Sequence, residues 1–344
     1  MTEKLFSPYQ FKGLQLNNRV VMAPMCQYSV TAKDGIPNDW HQVHYVSRAV
    51  GGTGLIVIEM TDVDPDGRIT DNDLGIWSDE HIPAFTKLVD GIHAYGSKVA
   101  IQIAHAGRKA EDAARPVAPS VVTFPGESFN TPHALTTEET QAMVQKFADG
   151  VRRAVAAGVD AIELHGAHGY LIHQFHSPLM NHREDEYGQD LSRFGVEIIR
   201  AAKKEMPEDM PLIMRISAVE YADGGYDIDH TIEISRAYQA AGVDMFHISS
   251  GGEGPSGQRK PGNYPGYQVP FARRFREELN VPVIAVGMLE DSALAQAVIG
   301  NGDADLVAVG RGMLRDPYWA THAALELGVS KDKAAIAQPY SRGY

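Results

Sequence analysis

The sequence predicts a (β/α)8 barrel, and three observations carry that reading. Eight short β-rich runs alternate with eight longer amphipathic ones along 344 residues, an order that one chain satisfies best by closing a parallel sheet. The β-rich runs are apolar on both faces, as strands covered inside and outside must be. The first of them ends in Ala23-Pro24-Met25-Cys26, with no G-x-G-x-x-G. An open doubly wound sheet, the alternative architecture, would carry that dinucleotide fingerprint there. Such barrels span roughly 200 to over 400 residues, and no boundary is visible, so residues 1–344 read as one domain.

Taken in order, an opening segment rich in turn signals (Ser7-Pro8, Gly13, Asn17-Asn18) caps the barrel. Strands are expected at Arg19–Ala23, Leu55–Glu59, Val99–Ile103, Ala161–Leu164, Leu212–Ile216, Met245–Ile248, Val283–Val286 and Leu306–Val309. Helices are expected between them at Trp40–Ala49, Glu80–Tyr95, Glu138–Ala157, Leu191–Glu205, Thr231–Ala241, Pro270–Leu279, Asp291–Ile299 and Pro317–Leu327. Helix starts carry capping residues and acids (Ser78-Asp79-Glu80, Thr137-Glu138-Glu139), which satisfy free N–H groups and the helix dipole. Ala157-Gly158 and Ala241-Gly242 supply glycine where a helix turns into the next strand. Two connections are long, Ala104 to Thr136 and Gly166 to Asp190, and read as lids or binding loops.

Composition narrows the function classes. A net charge of −13 argues against a nucleic-acid partner, which would need dense Lys and Arg. No apolar run reaches the roughly eighteen residues that span a bilayer, and the start lacks a signal-peptide pattern, so no membrane partner and a cytoplasmic address are expected. The single cysteine, Cys26, excludes internal disulfides and thiolate-held clusters.

In a barrel, residues just past the strand ends face one site. The first strand delivers Pro24, Met25, Cys26 and Tyr28; the third delivers Gln102, His105, Arg108 and Lys109. The fourth empties into His165, His168 and Tyr170, two imidazoles and a phenol able to hydrogen-bond an oxygen gaining charge and to give up a proton. A zinc site or a set of structural rings is the alternative. Zinc needs a third ligand and a shared face, and Gly166 and Gly169 break any helix that would supply one. The fifth strand buries Arg215, whose countercharge is either Glu163 one strand away or an anionic ligand. The seventh and eighth end alike, at Gly287-Met288 and Gly310-Arg311-Gly312, which suits a phosphate. Metal hydrolysis and triad chemistry find little support, and a sugar-phosphate lyase remains open.

The segments Ala23-Pro24-Met25-Cys26-Gln27-Tyr28, His165-Gly166-Ala167-His168-Gly169-Tyr170-Leu171, Gln174 to Asn181 with Arg183 to Gly188, and Val309-Gly310-Arg311, together with Gln102, resemble the old yellow enzyme family of flavin-dependent ene-reductases. Cys26 and Tyr28 resemble its bacterial, thermophilic-like branch. The resemblance covers essentially the whole chain. It implies non-covalent FMN, reduced by NADPH or NADH, passing hydride to the β-carbon of activated alkenes such as enones, maleimides or nitroalkenes. It implies that His165 and His168 hold the substrate oxygen and that Tyr170 protonates the α-carbon. Gln102 and Arg215 would face the flavin pyrimidine ring; Gly287, Gly310 and Arg311 the phosphate; Pro24, Met25, Cys26 and Met60 the remaining flavin surface; Tyr28 the substrate. Met60 departs from the pattern, which has a small residue such as alanine there. The tail, residues 331–344, would carry Arg342 and Tyr344 into the site of a neighbouring subunit, implying a homodimer or a tetramer of dimers. Quinone or nitro-ester reduction on the same flavin barrel, or a redox-sensing Cys26, are the competing roles.

Overall fold

The computed structural model describes residues 4–252, 262 and 264–344. Its centre is a closed barrel of eight parallel strands: β1 (Val20–Met22), β2 (Leu55–Asp62), β3 (Lys98–Ala104), β4 (Ala161–Gly166), β5 (Leu212–Ser217), β6 (Met245–Ser249), β7 (Val283–Val286) and β8 (Leu306–Val309). Each strand pairs with the next, and β8 and β2 both pair with β1, which closes the ring. The doubly wound alternative is thereby excluded. All eight expected strands are present. The principal helices follow as α1 (Asp39–Val50), α2 (Ile82–His93), α3 (Thr137–Ala156), α4 (Arg193–Glu205), α5 (Ile228–Ala241), α6 (Val269–Leu279), α7 (Ser292–Gly300) and α8 (Trp319–Glu326). The α3 cap is Thr136, whose side chain accepts from Glu139 N while Glu139 returns a bond to the Thr136 backbone.

Strand alternation divides the core. Val20, Met22, Ile56 and Ile58 face the helices, whereas Val21, Leu55, Ala100, Ala161, Ile213 and Met245 belong to a separate cluster inside the barrel. Leu14 and Leu16 join the inner cluster from an antiparallel hairpin, Tyr9–Phe11 with Leu14–Leu16, so the opening segment plugs the end where the strands begin. That leaves the other end for chemistry.

The two long connections knit to each other. The loop after β3 carries Val117–Ala118 paired with His133–Ala134, and the loop after β4 carries the short helices Leu171–His176 and Glu186–Gln189. His105 O accepts from Leu171 N at 3.0 Å, and Gln174 Nε2 donates to Ala106 O and Gly169 O at 3.2 and 2.8 Å. Arg183 donates to Pro119 O and Leu135 O and pairs with Asp185, while Asn181 Nδ2 donates to Phe175 O and Tyr187 O. The polar residues of the Gln174–Gly188 stretch therefore serve chiefly as a brace between the two long connections.

At the far end of β2 a bulge between Ile58 and Thr61 shifts the register with β3. Glu59, almost fully buried there, accepts from Gln27 N at 2.8 Å and from Tyr45 Oη at 2.6 Å, tying the loop after β1 and helix α1 to the barrel. Burial pushes its carboxyl up to about 7, against the opposing hydrogen bonds from Tyr45 and Gln27.

Replacing Leu14 by Ala should cost about 2–5 kcal/mol of stability, as for other fully buried leucines, with the site at the opposite end unaffected; chemical denaturation and activity below the transition report the two halves. Glu59 has a folded pKa above its ordinary 4.5, so the stability it contributes is complete below pH 4.5 and lost as pH rises to about 7. In Glu59→Gln the stability-versus-pH curve should therefore flatten across that window, by up to roughly 3 kcal/mol, whatever the change in absolute stability. Melting temperatures measured in steps from pH 4.5 to 8 would show it.

Candidate active site

The inward positions change character two residues further along the strands. After Ala100, Ala161, Ile213 and Met245 come Gln102, Glu163, Arg215 and His247; two residues on again stand His165, Ser217 and Ser249. The barrel interior is thus apolar where the strands start and polar where they end. Register holds this layer together: Gln102 lies beside Glu163, and Arg215 lies beside both His165 and His247.

Within it Glu163 accepts from Gln102 Nε2 at 2.7 Å and from His247 Nδ1 at 2.8 Å. Burial pushes the Glu163 carboxyl up, but His247, Arg215 and Gln102 outweigh it and hold the group below its ordinary value, as a carboxylate. Of the two partners open to Arg215, Glu163 is near enough to act on it electrostatically and makes no ion pair with it. Arg215 Nε is buried without a hydrogen-bond partner, as is His247 Nε2. A buried guanidinium left this way is built to receive an acceptor.

Above it the three rings called from the sequence come together. The His165 ring lies 5.3 Å from that of His168 and 4.9 Å from that of Tyr170, edge-on in both cases. His165 Nδ1 accepts from Ala167 N at 3.3 Å, so its Nε2 carries the proton and is a donor. His168 sits at φ 60°, its N bonded to Ser217 Oγ at 3.0 Å and its Nε2 to Ser249 Oγ at 2.7 Å. Where Ser249 donates to His168 rather than to Gln268 Oε1, 3.4 Å from its Oγ, His168 Nδ1 carries the proton. Burial, reinforced by Arg215, pulls both imidazoles well below the ordinary histidine value, so both are neutral rings. Burial pushes the Tyr170 phenol well up, helped by Cys26 and Tyr28, which keeps its proton in place.

Lys109 fixes this arrangement from above. Its Nζ donates to His168 O at 2.9 Å and Gly252 O at 3.0 Å and stands 5.0 Å from the centre of the Tyr170 ring. Gly252 is required there: at φ 105°, any Cβ would stand 2.3 Å from His168 Cα.

Cys26 and Tyr170 pack on one small cluster formed by Met60, Ile69, Ala104, Ala106, Ala110 and Ala113. The long Met60 side chain is accommodated by four alanines around it. Burial, then Asp73, Glu59 and Asp62, push the Cys26 thiol well up. Tyr28 adopts φ 50° and remains half exposed at the rim. Pro24 and Met25 follow β1, and Gly310 ends β8 beside them, its position facing Met25 Sδ and Ala23. Gly287 and Gly310 close the adjacent strands β7 and β8, with Gly287 at φ 131° and Arg311 exposed at the start of the short helix Arg311–Arg315. Arg48 braces that helix by donating to Met313 O.

Arg342 is not brought to this ring within its own chain. It is exposed on a turn, Gln338–Gly343, whose neighbours Tyr340 and Tyr344 rest against Tyr318 and His322 at the outer helix α8. His247, Ser217 and Ser249 were missed from the sequence. Their signal was the alternation Met245-His247-Ser249 and Arg215-Ser217, hidden because both faces of these strands are buried. Among the described residues no group of three or more His, Cys, Asp and Glu side chains could hold a metal ion.

Comparisons with known proteins agree with this geometry. The chain is 47% identical to a Bacillus subtilis NADPH dehydrogenase, with the whole of each protein covered. It is 45% identical to a Geobacillus thermodenitrificans NADPH dehydrogenase, covering 100% of this chain and 99% of that one. Morphinone reductase superposes with a TM-score of 0.82 at 27% identity, over 97% of this chain and 93% of that one. An old yellow enzyme homologue from Zymomonas mobilis shares the fold, with a TM-score of 0.81 at 23% identity over 98% of each chain. The profile described as the NADH:flavin oxidoreductase / NADH oxidase family matches residues 4–328. With the closed barrel, the buried cation and the ring trio on one strand-end face, the chain belongs to the NADH:flavin oxidoreductase / NADH oxidase family.

Proposed function

We propose that this protein is an ene-reductase acting on activated alkenes such as enones, maleimides and nitroalkenes. Its family makes it a flavin-dependent NAD(P)H oxidoreductase with FMN as cofactor. The residues fit that group. Arg215 offers a buried guanidinium with an unmatched Nε, Gln102 has its amide oxygen free of Glu163, and Gly287, Gly310 and Arg311 offer close backbone approach and a charge for the phosphate. Pro24, Met25, Cys26 and Met60 would line the rest of the cofactor's surface. Bound FMN supplies hydride, taken from NADPH or NADH and delivered to the β-carbon of the alkene.

The observation that carries the reading is the pair of buried, neutral imidazoles of His165 and His168, set edge-on beside a protonated Tyr170. The two donors would hold the substrate's carbonyl or nitro oxygen and stabilise the negative charge that builds on it as the β-carbon gains hydride. Tyr170, kept protonated by burial, would then give its proton to the α-carbon, completing the saturated product. Tyr28 at the rim would contact the substrate. A redox-sensing Cys26 is disfavoured, because sensing needs a thiolate and this thiol lies among burial and three acids. The tail suits a role between subunits: Arg342 is exposed on an aromatic surface, and we propose a homodimer, or a tetramer of dimers, in which it enters a neighbour's site. Among the described residues no helix is long and apolar enough to cross a membrane.

The purified protein should be yellow, bleach on anaerobic NADPH and recover its band on 2-cyclohexen-1-one. A protein that stays colourless with added FMN would return the phosphate site to a lyase. Tyr170→Phe should lower enone turnover about 100- to 10,000-fold while leaving quinone reduction, which needs no proton on carbon, near the wild-type rate. Equal loss on both substrates would remove Tyr170 as the donor. Ser249→Ala frees His168 to adopt the other tautomer, and should lower kcat/KM for enones roughly tenfold without changing the rate of flavin reduction by NADPH.

A further inference from the structure

The buried polar layer beneath the site contains two groups that the proposed reaction does not use, Glu163 and His247. Both are fully buried inside the barrel. Glu163 Oε1 receives Gln102 Nε2 at 2.7 Å and Glu163 Oε2 receives His247 Nδ1 at 2.8 Å, so one carboxylate spans three strands, β3, β4 and β6. The fourth member of the layer, Arg215, neighbours His247 in register on β5 and makes no ion pair with Glu163.

A primary amide has two ends of opposite character, and rotation by half a turn exchanges them at almost no steric cost. Which end of Gln102 faces the ligand is therefore set by its other partner. Glu163, holding only acceptors, can pair only with the NH2 end. The oxygen of Gln102 is left for the ligand. His247 in turn occupies the second carboxylate oxygen, which fixes the plane of Glu163. Burying a carboxylate in this place is costly unless it is matched by donors and a nearby cation. The layer supplies both, and a neutral Gln at position 163 would fill the same volume without that cost.

We propose that Glu163 is a positioning residue for the cofactor: it sets the orientation of the Gln102 amide and offsets part of the Arg215 charge, so tuning the reduction potential of bound FMN, with His247 holding Glu163 in place. The inference rests on the reading that Gln102 and Arg215 face the flavin. Glu163→Gln acts in two ways that add. It removes a negative charge from beneath the cofactor, and its new NH2 group pairs with the Gln102 oxygen, turning the Gln102 NH2 toward the ligand. Both favour added electrons, so the midpoint potential rises.

The test measures the midpoint potential of bound flavin by equilibration with a reference dye, and the FMN dissociation constant by fluorescence quenching on apoprotein, in wild type, Glu163→Gln and the exchange variant Gln102→Glu with Glu163→Gln. The exchange variant keeps the net charge and every side chain's volume, preserves a bond between the two positions and moves the carboxylate one strand over, toward the ligand. The expected results are a more positive potential in Glu163→Gln, a more negative one in the exchange variant, and a tenfold or greater weakening of FMN binding in the latter. If wild type binds FMN and the exchange variant matches it in potential and affinity, the role of Glu163 is overturned while the flavin reading stands. If Glu163→Gln fails to fold, the exchange variant decides alone. A wild-type protein that binds no FMN overturns both.

Discussion

Arg215 is the constraint around which the strand-end half of the barrel is arranged. A guanidinium cannot shed its proton, and burial at 8% exposure leaves it little water, so its surroundings must supply either anions or acceptors. The barrel supplies one carboxylate, Glu163, near enough to act but bonded to Gln102 and His247 instead. The remaining demand is directed into the pocket. The same field, added to burial, keeps His165 and His168 neutral, so the two rings act as hydrogen-bond donors without competing as charges. One buried cation thus accounts for the site's appetite for an electron-rich ligand and reinforces the burial that keeps the rings above it neutral.

The geometry above this floor depends on loops that hold one another. His168 is at positive φ, a conformation that costs free energy and persists only when surroundings impose it. Three contacts do so: Ser217 Oγ at its N, Lys109 at its O and the bare backbone of Gly252 against its Cα. These come from β5, from the loop after β3 and from the loop after β6. Rings carried on a loop can be as well placed as rings on a strand when several elements each fix one atom of the backbone. The brace built from Gln174, Asn181 and Arg183 extends the same device through the two long connections.

Met60 shows how a departure in sequence is absorbed in space. The long Met60 side chain at the end of β2 is met by alanines at 104, 106, 110 and 113, so a large residue on one strand packs against small ones on the next strand and its loop. Cys26 and Tyr170 rest on that same cluster, which ties the packing of an apolar corner to the placement of the proposed proton donor.

The sequence by itself determined the barrel and most of the ring around its mouth. Both follow from local periodicity: eight buried runs separated by amphipathic ones leave few topologies, and in a parallel barrel the residue after each strand end faces the mouth wherever its neighbours lie. His168 and Tyr170 were legible for that reason, and Gln102, His165 and Arg215 as polar residues near the ends of apolar strands. Only the tertiary structure decided which polar groups share a bond. Glu163 reads from the sequence as one of two candidates to pair with Arg215, an anionic ligand being the other, and in space it bonds Gln102 and His247, because strand register and the reach of each side chain, and not the matching of opposite charges, select among neighbours. His247, Ser217 and Ser249 went unseen because a strand buried on both faces gives no contrast to mark its inner side. The braced state of the long loops was hidden for a related reason. Its bonds run to backbone carbonyls, and every residue has one.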